Sequence, residues 1–149
     1  GYKFATERSQ HLMSLGIPLN TDSTLKGQTV FLAERCGELM HDNIITDRTI
    51  LDVMAFTMNA KSIPHQDKEA FETYASEFIR EYDYIFYISP HGIEIEDNGI
   101  RETDEHYRDL IDFTITTLIK RHGHKAGKIE KISGSTEERI QQILNVTKL

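Results

Sequence analysis

Apolar positions along the chain follow two rhythms, short continuous runs and stripes with helical spacing. YKFATER, residues 2–8, reads as a strand with Thr6, Glu7 and Arg8 at its C-terminal edge. SQHLMSLGIPLNTDSTLKG is mostly loop, with a short helix ahead of Gly16 and Pro18. Phe31, Leu32, Cys36, Leu39 and Met40 then recur at helical spacing and predict a helix from Gln28 to about His41. Asn43 to Asp47 is a short strand centred on Ile44 and Ile45, and Thr49 with Asp52 opens a helix to Ala60 through a capping-box pattern.

HQDKEAFETYASEFIREY sets Phe71, Tyr74, Ala75, Phe78, Ile79 and Tyr82 on one helical face. DYIFYISP is the clearest strand, rich in aromatic and β-branched residues and stopped by Pro90. A polar stretch, HGIEIEDNGIRE, leads to a helix from Asp104 to His122 with Tyr107, Leu110, Ile111, Ile115, Leu118 and Ile119 in register. KIEKIS is a last strand, and Ser135 with Glu138 caps a final helix whose Ile140, Ile143 and Leu144 are expected to face inward. Phe71, Tyr74, Phe78, Phe86 and Phe113 are expected in the core. Alternating strands and helices predict an α/β fold: three layers, α/β/α, around a mainly parallel sheet. With no repeat or linker, residues 1–149 read as one domain.

Composition narrows the function classes. The 149 residues are 38% hydrophobic and 28% charged, an ordinary globular balance. A formal charge of −7 argues against wholesale binding to nucleic-acid backbones. The lone cysteine, Cys36, excludes an internal disulfide framework and sits at an apolar helical position, as a reduced core thiol would. Neither a membrane-length apolar run nor a leader pattern is present, so the expected setting is cytoplasmic, in the host if the chain is viral. A homodimer is left open.

In open α/β sheets ligands gather beyond the carboxyl ends of strands. The polar residues there are Glu7 and Arg8, Asp47 and Arg48, Arg101 in the loop after Pro90, and Gly134, Ser135 and Thr136. Carboxylates that hold magnesium and arginines that grip phosphate oxygens are what phosphoryl transfer requires.

ITDRTILD, YDYIFYISP, IEDNGIRETDEHYRDLID and ISGSTEERIQQI, in that order, resemble blocks of P-loop nucleoside and nucleotide kinases. The nearest resemblance is to the small AAA-type ATPase/kinase family common in bacteriophages, related to thymidylate kinases and nicotinamide riboside kinases. It spans about Tyr2 to Ile143, and the order of the blocks is more specific than any one of them. The resemblance implies ATP and magnesium as cofactors and a nucleoside or nucleotide as substrate. Asp47 resembles the acid that supports magnesium and orients the acceptor, and Arg48 the substrate-side arginine of an Asp-Arg motif. Glu7 resembles a substrate-facing carboxylate, with Arg8 beside it. Arg101, between Gly92 and Gly99 in a lid-like loop over about 91–103, resembles a lid arginine, and Arg108 is set to share its face. Gly134 to Thr136 resembles the turn around the adenine. Asp97 and Asp104 resemble acids of such a lid.

The chain departs from that pattern at its start. It has no glycine-rich loop ending in Gly-Lys-Ser or Gly-Lys-Thr. In the related kinases the strand before that loop lies mid-sheet, so its absence leaves two unpaired edges around a gap. The resemblance therefore implies a P-loop NTPase-like sheet without its first strand, the phosphate loop being upstream of Gly1, or a silent relative that closes its sheet differently. Plainer readings stand beside these. Asp47 with Arg48, and Glu7 with Arg8, also suit surface ion pairs. Ser135 suits a helix cap, and His122 and His124 suit a helix C-terminus better than a metal site. His91 is assigned no chemistry.

Overall fold

The computed structural model describes residues 1–91 and 104–149, in a mixed α/β arrangement. Arg101, Asp97 and the lid-like stretch, apart from His91, fall on residues 92–103, outside the described residues. The elements run β1 (Lys3–Ala5), α1 (Ser9–Ser14), α2 (Leu25–Glu38), β2 (Ile44–Thr46), α3 (Ile50–Met58), α4 (His65–Ser76), β3 (Tyr84–Ile88), α5 (Glu105–His122), β4 (Lys128–Ile132) and α6 (Thr136–Thr147). All but one fall within the segments read from the sequence; α2 begins at Leu25, three residues ahead of the expected start at Gln28, because Thr24 caps it by accepting from Gly27 N.

The strands pair in parallel, as expected, but in two separate sheets: β1 with β2, and β3 with β4. In the first, Phe4 stands beside Ile45; in the second, Ile85 stands beside Ile129. Gly127 leads into β4 with its N–H on Tyr82 O at 2.9 Å. A Cβ there would lie 2.4 Å from Asp83 O, so the close approach of the two chains needs glycine.

The core is built on α3. Ile50, Leu51, Val53, Met54 and Ala55 are all buried, against Leu32 of α2, Phe71 and Ala75 of α4, Leu118 of α5 and Ile85 of β3. A helix apolar all round must be enclosed on every side, and α3 is the element the others wrap. Full burial of a Leu or Ile side chain stabilises by about 1.5–3 kcal/mol, so this cluster dominates the stability of the fold. Partly buried Cys36 packs against it, and burial, with the nearby Glu81 charge, pushes its thiol pKa up, as fits an unreactive thiol.

The sheets are covered unevenly. Strand residues alternate sides, and beside buried Ile85 both Tyr84 and Ile88 are exposed. Phe4 is 66% and Ile45 51% exposed. Helix α6 contributes no buried residue: Ile140 and Leu144 are exposed and Ile143 is half-buried, which corrects the expectation that they face inward. Its stripe is amphipathic, but among the described residues no apolar surface closes over it. Tyr74 and Phe113 are also exposed rather than in the core, because α4 and α5 turn Phe71 and Leu118 toward α3 instead.

Candidate functional site

A cleft of about 1460 Å³ separates the two sheets. All of β2 and all of β3 line it, and among the described residues each of these strands has one edge without a strand partner. Helices α2, α3 and α5 supply further wall.

Four of the residues singled out from the sequence line this cleft: Glu7, Asp47, Arg48 and Arg108. Asp47 follows β2, with its N–H on Ala5 O at 3.0 Å, and its exposed carboxylate makes no ion pair among the described residues. The next residue, Arg48, adopts φ +74°, a left-handed conformation that turns the chain sharply from β2 into α3. Thr46 Oγ1 donates to Arg48 O at 2.9 Å and steadies that turn. The guanidinium lies 5.4 Å from the ring centroid of Phe56, a cation–π contact on the cleft wall. Thr49 then caps α3, accepting from Leu51 N at 3.1 Å, while Asp52 Oδ2 accepts from Thr49 N at 2.7 Å. The acid–arginine pair is thus fixed by a turn between a strand and a capped helix.

Glu7 is held by its own turn, accepting from the N–H and hydroxyl of Ser9. Arg108, in the first turns of α5, has its Nε 4.0 Å from Asp109 Oδ1. One turn on, Asp112 also lines the cleft and accepts from the Tyr87 hydroxyl. Burial, then the bond and charge of Asp112, push the Tyr87 phenol up to about 12. His91 Nε2 lies 3.8 Å from Asp112 Oδ2.

The other predicted residues go elsewhere. Arg8 turns to a separate groove and pairs with Glu34 at 3.5 Å. Gly134, Ser135 and Thr136 do not line the cleft. Ser135 and Glu138 form a reciprocal capping box, and Gly134 takes φ +98° beside Glu138. Asp104 caps α5 by accepting from His106 N at 2.9 Å. His122 Nε2 is bound to Glu72 at 2.8 Å, and His124 is exposed.

Among the cleft residues not singled out from the sequence, two are buried and polar. Gln28 and Arg35, only 3% and 4% exposed, line the cleft from α2, with Phe31 between them. Their spacing, i, i+3 and i+7, places them on one helical face. Arg35 Nη1 donates to Glu38 at 2.8 Å. The signal available was a glutamine and an arginine interrupting an apolar stripe.

Among the described residues, no group of three His, Cys, Asp or Glu is placed to hold a metal. Magnesium bound mainly by phosphate oxygens and water needs only one or two protein carboxylates. Asp47, exposed and unpaired, fits that role. No helix of the described residues is long and apolar enough to cross a membrane. No protein-family model, curated protein or solved structure matches this chain.

Proposed function

We propose that the cleft binds a nucleoside or nucleotide for ATP- and magnesium-dependent phosphoryl transfer, as in thymidylate kinase-like P-loop enzymes. The observation that carries the reading is the convergence of Glu7, Asp47, Arg48 and Arg108 on one cleft from three separate parts of the chain. Arg48 and Arg108 supply fixed positive charge to an otherwise acidic molecule and would hold phosphate oxygens. Glu7 and Asp47 would orient an incoming hydroxyl or phosphate, and Asp47 would hold a magnesium ion or its waters. Magnesium, when bound, neutralises charge on the transferring phosphate. Positioning and charge neutralisation account for most of the rate in such chemistry.

The reading requires a phosphate loop, which this chain does not contain. The unpaired edges of β2 and β3 support its placement on one further strand seated between them, which would join the two sheets into a three-layer α/β/α fold. Without that segment the second reading gains weight: a module that binds nucleotide, or a partner, and transfers nothing. A third, an ATPase that drives a partner, differs in releasing phosphate without an acceptor.

Calorimetric titration of the chain with nucleoside monophosphates tests the binding claim. Binding in the wild type that is lost on Arg48→Ala, with the melting temperature retained, is the expected result. If no phosphorylated nucleoside binds, the proposal fails. In a protein that joins this chain to a phosphate loop, label from γ-labelled ATP on the nucleoside identifies a kinase, free labelled phosphate an ATPase, and neither a silent module.

A further inference from the structure

The outer edge of β1 has no strand beside it among the described residues. Lys3 N–H donates to Asn43 O at 2.8 Å and Ala5 O accepts from Asp47 N at 3.0 Å, so both residues bond toward β2. Backbone groups alternate sides along a strand, and Phe4, between them, turns its N–H and C=O away from β2. That edge borders a groove of about 610 Å³, separate from the cleft between the sheets and walled on its far side by α2. Val30, Ala33, Glu34 and Gly37 recur on the wall at helical spacing. A Cβ built on Gly37 would meet nothing within 4 Å, so the wall leaves room for a side chain.

Charge narrows what enters. At the start of β1, Lys3 Nζ lies 3.0 Å from His41 Nδ1, two bases side by side with no carboxylate on either among the described residues. Beyond the end of β1, Arg8 Nε is enclosed without a hydrogen-bond partner. Arg8 Nη2 reaches Glu34 only at 3.5 Å, longer than a charge-assisted hydrogen bond. The other acid of the groove, Glu38, is taken by Arg35 at 2.8 Å. A molecule of net charge −7 thus keeps under-paired cations at both ends of one groove. Carboxylates suit both places, and the free backbone groups between them are best met by another extended backbone.

We infer that the outer edge of β1 and the facing side of α2 form a docking groove for an extended segment of another protein. The segment adds as a strand beside Phe4, sets an apolar side chain over Gly37 and directs carboxylates to Lys3 and Arg8. The inference stands independently of the phosphoryl-transfer reading.

Calorimetry and amide exchange with the end-capped peptide Glu-Thr-Val-Thr-Glu test it, since alternation puts its valine and both glutamates on one face. The peptide is expected to bind the wild type at millimolar concentration or below and to slow exchange of the Phe4 N–H. Gln-Thr-Val-Thr-Gln should bind about fivefold more weakly for each carboxylate lost. Methylation of the central backbone nitrogens of the peptide should abolish binding, because strand addition depends on main-chain hydrogen bonds. Phe4→Pro removes the outward N–H, which an edge strand tolerates, and Gly37→Leu fills the groove. Both variants should lose the peptide. Gly37→Leu should melt no lower than wild type, since leucine has room there and favours a helix, and it decides alone if Phe4→Pro fails to fold. Failure of the peptide to bind the wild type would overturn the inference. So would binding that persists in Gly37→Leu or leaves exchange of the Phe4 N–H unchanged. Protection of that N–H on raising the protein concentration without peptide would give the edge to a second copy of this chain and overturn the partner named here.

Discussion

The phenol oxygen of Tyr82 accepts the backbone N–H of Ile50 at 3.1 Å, which ties the residue leading into β3 to the first turn of α3. Both residues are buried, and burial pushes the Tyr82 phenol above its ordinary range. The first turn of a helix leaves its N–H groups without partners inside the helix. At α3, Thr49 takes one and Tyr82, thirty-two positions further along the chain, takes another.

Tyr82→Phe removes that acceptor and leaves the Ile50 N–H buried. The expected loss is about 1–3 kcal/mol of stability. It should be read as a lower midpoint in urea with an unchanged slope. A midpoint equal to wild type would mean that this bond contributes nothing to holding β3 on α3.

Acid should loosen a second joint. Glu72 on α4 accepts from Arg121 and His122 at the end of α5. Burial raises the pKa of Glu72, but the hydrogen bonds and charges of His122 and Arg121 outweigh it and hold the carboxyl below its ordinary range. A depressed carboxyl stabilises the fold above its unfolded value of about 4.3 and loses that contribution as pH falls through the folded value. Glu72→Gln should therefore cost about 1 kcal/mol near neutrality and progressively less below about pH 4. Urea midpoints of both proteins across that range are the check; a constant gap would refute the linkage.

Much of this architecture was written in the local pattern, and much of what matters at the cleft was not. The strand around Ile85 and the capping residues Thr49 and Ser135 could be read directly, because alternation and cap chemistry are local. Glu7, Asp47, Arg48 and Arg108 were legible as strand-end or helix-face polar residues, whereas Arg8 looked identical in sequence and turns instead to Glu34. Gln28 and Arg35 escaped notice because their burial depends on the cleft beside α2, which sequence spacing does not encode. The exposed stripe of α6 shows the converse: Ile140 and Leu144 have the spacing of a core face but no neighbour among the described residues that buries them.

Arg48 combines an unfavourable backbone conformation with a side chain at the cleft, and the two can be separated. A left-handed residue other than glycine costs about 1 kcal/mol relative to glycine. Arg48→Gly should thus be more stable than Arg48→Ala by about that amount, since only the alanine keeps a Cβ at φ +74°. Both lose the guanidinium, so both should lose nucleotide binding equally. Should Arg48→Gly retain binding, the backbone turn would be the functional feature and the charge would not.

The free strand edges give the last prediction. Among the described residues β2 and β3 each present an edge without a strand partner, and Phe4 and Ile45 stand exposed and adjacent on the first sheet. Unpaired edges flanked by apolar side chains are sites for adding strands from other molecules. The chain by itself should accordingly associate as its concentration rises, measurable by sedimentation velocity. Ile45→Lys places a charge on the exposed face of β2, where a neighbouring sheet would have to desolvate it. That variant should remain monomeric at concentrations where the wild type associates, and its melting temperature should change little because Ile45 is already half in water. If both proteins sediment as the same monomer over the whole range, the edges are protected in a way their exposure does not reveal. Equal association of both would move the contact off β2, to the edge of β3 or the stripe of α6.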